Sequence, residues 1–253
     1  WRGLWLGGGV DAGFILSGDN QDSDYLGDGR TQEFSRSYQG TPGDATFDFH
    51  LDASWRFAVG KSYLAPRLGY AWHSQNLRMR DGVRVIAPIV AQNEEDINHD
   101  GKVDEQDMVI TGGEPVNQPI PGLDSRYDAV WRGPFVGLDL MLKLPAGFSM
   151  SATLERHFTD YHGEADWNLR GDFAHPISFE QKADGTGWIR RIALEWRRFA
   201  RQTITLSLEE RRFEAGAGQD RIFIPDGQSI AADRFNGAHW TSRGVRLGWR
   251  YVW

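Results

Sequence analysis

The chain has no cysteine, so neither a disulfide framework nor a thiolate metal site can hold it together. It has no apolar run near the ~20 residues that a membrane-crossing helix requires. Its net charge of −7 argues against nucleic acid, which is not an expected partner. The sequence opens at Trp1 rather than Met, and any secretory signal is therefore expected to have been removed or left out.

What it does contain is 30 Gly, 11 Trp, 14 Phe and 7 Tyr within 253 residues that are hydrophilic on average. A transmembrane β-barrel accounts for that mixture, because only alternate residues of each strand meet lipid and aromatic girdles mark the two interfaces. The period of two is clear at the C-terminus. There Val245, Leu247, Trp249, Tyr251 and Trp253 alternate with Gly244, Arg246, Gly248 and Arg250, placing successive side chains on opposite faces. The same reading predicts strands over Leu4–Phe14, Phe47–Phe57, Leu64–Trp72, Val136–Leu142, Phe148–Leu154, Arg191–Trp196 and Thr203–Leu208.

The links between these eight strands alternate in length. Gly60-Lys61-Ser62, Pro145-Ala146-Gly147 and Arg201-Gln202 are tight, whereas 17–43, 81–126, 163–186 and 217–238 are long. Short periplasmic turns and long outer loops identify an outer-membrane barrel, so the C-terminus is expected in the periplasm. A soluble β-sandwich would alternate equally well. Against it stands the inward set, with Asp11, Asp52, Arg56, Arg67, Asp139, Glu155, Arg191, Glu195, Arg246 and Arg250, which suits a paired network in a narrow lumen. The expected fold is all-β, a single up-and-down antiparallel transmembrane barrel over residues 1–253, closed on itself by eight strands. Pro66 and Pro134 imply bulges or local breaks in their strands.

Two short motifs lie in the long links. Asp22-Ser23-Asp24 falls in the first, and Asp160-Tyr161-His162 rises from the fifth strand. Alone, each is an ordinary acidic loop. In this order between these strands, with Tyr63 through Tyr70 and Tyr127 through Leu138, the chain resembles the omptin family of outer-membrane proteases over nearly its whole length.

That resemblance implies an endopeptidase with no catalytic metal. Asp22 and Asp24 would bind a water, His162 would act as general base, and Asp160 would orient His162. A carboxylate beside an imidazole raises its basicity, and the base need only reach a positioned water. Omptins have ten strands, and this chain begins where their third would. Either a leading hairpin lies outside this sequence or the barrel closes with eight. Phe158 stands where the family carries an acidic residue, so its preference for basic cleavage sites does not carry over.

The longest link, 81–126, holds a different signature. Asp96, Asn98, Asp100, Lys102, Asp104 and Asp107 around Gly101 fit the twelve-residue EF-hand loop over 96–107, with Lys102 contributing its backbone carbonyl. Asp rather than Glu at the twelfth position resembles the dockerin type. Calcium is the expected ligand, bracing the loop rather than opening a switch.

On the lipid-facing parity, Arg132, Arg156, Arg190 and Arg212 are expected at the barrel rim, where charge costs only roughly 0–1 kcal/mol. They suit lipopolysaccharide phosphates, and equally ordinary snorkelling. Outer-membrane lipid, lipopolysaccharide and a peptide substrate are thus the expected partners. The alternative to the endopeptidase is a non-enzymatic outer-membrane barrel used for adhesion, scaffolding or structure. A pore comes third, since a narrow lumen full of side chains passes little.

Overall fold

The computed structural model describes residues 3–27, 30–41, 44–87, 89–92, 108–111, 116–199, 201–225 and 229–251. Alternation sets the architecture. Eight long antiparallel strands, β1 (Leu4–Phe14), β4 (Ala45–Trp55), β6 (Ser62–Ile86), β10 (Ser125–Lys143), β11 (Phe148–Asp166), β12 (Phe179–Phe199), β13 (Gln202–Ala215) and β16 (Ala238–Tyr251), neighbour one another in chain order. At one end the turns are tight, with Gly60 (φ 62°), Ala146 (φ 55°) and Gly147 (φ 79°) supplying left-handed backbone.

The other end carries hairpins rather than loose loops. β2 (Asp19–Gly27) pairs with β3 (Thr31–Gly40), which pairs with the upper part of β6; β14 (Gly218–Phe223) and β15 (Ser229–Phe235) extend the sheet from β12. The short strands β5 (Phe57–Val59) and β9 (Gln118–Pro119) also pair with β6, and β7 (Ile89–Gln92) pairs with β8 (Met108–Thr111). Backbone groups that a loop would leave unpaired are satisfied by continuing the ladder.

The parity expected from the sequence holds. Leu51, Leu68, Leu138, Leu154, Ile192, Leu206, Leu208 and Leu247 are exposed on the outer surface, while the interior is charged and aromatic. Arg67 sits among Asp52, Glu155 and Asp139 at 2.8, 3.1 and 3.6 Å. Arg211 bridges Asp48 and Glu209 at 2.6 and 2.7 Å, and Arg191 Nε meets Glu209 at 2.6 Å. Greasy rows facing outward around a polar interior are the reverse of a water-soluble core.

Two details add to the expected barrel. The sheet does not close by a β1–β16 ladder: among the described residues β1 pairs only with β4 and β16 only with β13. Their edges meet through side chains, Arg246 Nη1 lying 3.5 Å from Asp11 Oδ1. Eight strands leave an interior only just wide enough for side chains, and here large rings and guanidinium groups fill it. Of the two outcomes expected at the prolines, bulge or local break, the described residues have the break. Pro134 lies where the β10–β11 ladder lapses between Arg132 and Phe135 without a register shift, and Pro66 stands opposite the lapse between β4 and β5.

Candidate functional site

Above the outward apolar band, β11 continues to Asp166 in unbroken register with both neighbours. Unbroken register means unbroken alternation. From Glu155, His157, Thr159, Tyr161 and Ala165, all buried, the inward residues are odd-numbered. Asp160 and His162 therefore project from the outer wall, Asp160 opposite Arg132 and Asp184, His162 opposite Val130 and Lys182. The nearest carboxylate to His162 is Glu164, with Nε2 to Oε1 at 3.1 Å, and Asp160 makes no side-chain hydrogen bond with it among the described residues.

Asp22 and Asp24 take the opposite position. β2 and β3 stand on the upper reach of β6, and Arg30, at the turn of this hairpin, donates to the carbonyls of Asn236 and Gly237 at 3.3 and 2.9 Å. The hairpin thus spans the mouth from β6 to the turn before β16. Both carboxylates lie on it two residues apart, and so share a face. Burial, then the charge of Asp24, pushes the Asp22 carboxyl up to about 7. Burial raises Asp24 too, opposed by a hydrogen bond from Ser35 and the charge of Arg170. Asp24 is the more exposed of the two, so Asp22 is the carboxyl that keeps its proton to the higher pH.

Sequence reasoning missed the groups around this pair. The hydroxyls of Tyr127 and Tyr161 are hydrogen-bonded to each other; Tyr127 also donates to Gln181 Oε1 at 2.5 Å, and Gln181 Nε2 donates to Asp220 at 3.2 Å. Burial, the other phenol, Asp220 and Asp22 all raise the Tyr127 hydroxyl, so it stays a neutral donor. The signal that could have found Tyr161 was parity, since it follows Glu155 by six residues.

Beneath the mouth the lumen is blocked by rings. Trp131 packs on Tyr161 at 4.5 Å between centroids, Tyr161 on Phe235 at 5.5 Å, Phe213 on Trp240 at 5.3 Å and Phe135 on His157 at 4.9 Å. His73 joins this layer, its Nδ1 2.6 Å from Asp48. That pair is an aspartate–histidine dyad on the inward face, its imidazole buried and 5.1 and 6.4 Å from the rings of Phe213 and Trp240.

The four rim arginines are outward. Arg156 and Arg212 both stand opposite Trp188, with Arg156 5.0 Å over its ring. Arg132 lies 5.5 Å over Trp72, and Arg190 is 3.6 Å from Glu210. The calcium-loop residues Asp96, Asn98, Asp100, Lys102, Asp104 and Asp107 lie outside the described residues.

The sequence model of the Protochlamydia outer membrane protein family matches residues 2–253. No curated protein matches the chain. Among solved structures it is similar to the outer membrane protease OmpT from Escherichia coli, at TM-score 0.68 and 11% identity, over 99% of this chain and 79% of that one. At that identity the likeness establishes the barrel fold alone.

Proposed function

The chain belongs to the Protochlamydia outer membrane protein family, and we propose that within the outer membrane it is a non-enzymatic plugged barrel, serving as a structural or scaffold element. Its hairpin-bearing end faces outside the cell and its C-terminus the periplasm. The observation that carries this reading is the parity of β11, which sends Asp160 and His162 outward while Asp22 and Asp24 lie on the hairpin over the mouth. A water cannot touch both pairs through a strand wall. The ring layer from Tyr161 to Phe135 argues against a pore. Arg132, Arg156, Arg190 and Arg212 hold lipopolysaccharide phosphates at the rim, and calcium in residues 96–107 braces the link between β7 and β8.

Purified protein refolded with lipopolysaccharide tests it against a peptide library. No cleavage by the wild type or by His162→Ala is the expected result. Cleavage abolished by His162→Ala would restore the aspartate–histidine mechanism and end the proposal.

One observation favours a second reading, that the barrel hydrolyses peptides without histidine: Asp22, with its pKa near 7, beside Asp24. A proton-sharing carboxylate pair can take a proton from water at one oxygen and donate one to the peptide carbonyl from the other. Cleavage lost in Asp22→Asn but kept in His162→Ala would select this reading.

A further inference from the structure

The outer wall above the apolar band carries a cluster that neither reading uses. Glu164 on β11 and Glu180 on β12 stand directly opposite each other. Asp128 on β10 stands on the far side of Glu164. Three carboxylates thus occupy adjacent strands on one rung of the outer face. Like charges directly opposite are destabilising, and something must offset them.

Asp128 has its own partners, Asn76 Nδ2 at 2.6 Å and Arg126 Nε at 3.1 Å. The remaining two converge on one imidazole. His162 Nε2 lies 3.1 Å from Glu164 Oε1 and 3.9 Å from Glu180 Oε1. All three ligand atoms fall within 4.8 Å of one another. Lys182, opposite His162, closes the group with its ammonium 2.6 Å from Glu180 Oε1.

We propose that His162, Glu164 and Glu180 form a binding site for a first-row divalent cation such as zinc on the outer wall of the barrel. Such an ion takes imidazole nitrogen and carboxylate oxygen at about 2.0–2.2 Å. Ligand atoms around a tetrahedral ion are then about 3–4 Å apart, which is the spacing between His162 and the two glutamates. Imidazole disfavours calcium and magnesium, which prefer oxygen throughout. Extended strands hold the tripod, so little ordering is needed on binding. The half-exposed position leaves room for water as the fourth ligand.

Lys182 is the built-in competitor. In the metal-free state its ammonium neutralises Glu180, and the ion must displace it. The site shares with the function proposed above the outward parity of His162, and zinc binding is read out separately from peptide cleavage.

Zinc titration of the full chain in detergent, followed by calorimetry with millimolar calcium present to occupy residues 96–107, tests the proposal. One saturable zinc site is expected, weakened at least about ten-fold by His162→Ala and by Glu164→Gln. Lys182→Met should tighten it several-fold, an effect that impaired folding cannot mimic. Substituted cobalt should give the visible absorption of a tetrahedral ion, lost in His162→Ala. Absence of saturable binding overturns the proposal, as does zinc affinity that His162→Ala and Lys182→Met both leave unchanged.

Discussion

Tyr161 and His162 are consecutive residues on opposite walls of one strand: the Tyr161 hydroxyl meets that of Tyr127 inside the mouth, and His162 Nε2 meets Glu164 on the outer surface at 3.1 Å. A single peptide unit separates two chemical environments, because alternate side chains of an extended strand point apart. Whatever the mouth does, it does with Tyr161 and its partners.

Substitution at the mouth should show in the pH dependence of stability. Asp22 is raised from 3.8 to about 7 in the folded protein, so the folded state holds its proton more tightly than the unfolded one. Its contribution is fully present below about pH 4 and is lost as pH rises through about 7. Asp22→Asn should therefore leave stability at pH 4 nearly unchanged and raise it at pH 8, by about 1–2 kcal/mol after allowing for water in the mouth. Urea unfolding at the two pH values measures the difference. Equal effects at both would exclude a shifted Asp22.

Arg67 is the hub of the lower lumen, in reach of Asp52, Asp139 and Glu155. Arg67→Ala leaves three interior carboxylates without their shared cation, and breaking a buried pair in this way costs about 3–5 kcal/mol. Thermal melting should show a large loss, recovered in part at low pH where the carboxylates become neutral.

Gly187 faces Phe213 so closely that an added Cβ would lie 2.3 Å from the ring. Gly187→Ala must displace Phe213 and, through it, Trp240 and His73. Overpacking of that kind costs about 1–3 kcal/mol. The tryptophan emission of the folded variant should shift, and its unfolding midpoint should fall.

Calcium removal is predicted to act locally. A chelator should increase proteolytic nicking within 81–126 while the far-ultraviolet signature of the barrel stays constant. Asp96→Asn combined with Asp100→Asn should reproduce that pattern in the presence of calcium. A loss of barrel signal on chelation would contradict a bracing role for the ion.

Alternation in Val136–Leu142, Phe148–Leu154 and Thr203–Leu208 was enough to reveal the strands, their outward faces and the tight turns, because a period of two is local. The charged lumen was readable for the same reason. The hairpins within 17–43 and 217–238 look like long loops in the sequence. Polar strands paired away from lipid, such as Asp19–Gly27, have no greasy row to betray them.

The candidate site shows the limit most clearly. Asp160 and His162 share the parity of Leu154 and Arg156, so the sequence already held the count that puts them outside. It could not exclude a bulge between Arg156 and Asp160, which would have reversed every side chain beyond it. Only the continuous pairing of β11 with β12, and the unshifted register with β10 on either side of its lapse, removed that freedom. The sequence by itself determined an all-β barrel with a charged interior, since those properties repeat every second residue. The tertiary structure alone decided which motif residues meet, that the mouth gathers Asp22 with Tyr127 and Tyr161, and that β1 and β16 meet through Asp11 and Arg246. Those relations depend on register and curvature, which are set by contacts between residues far apart in the chain.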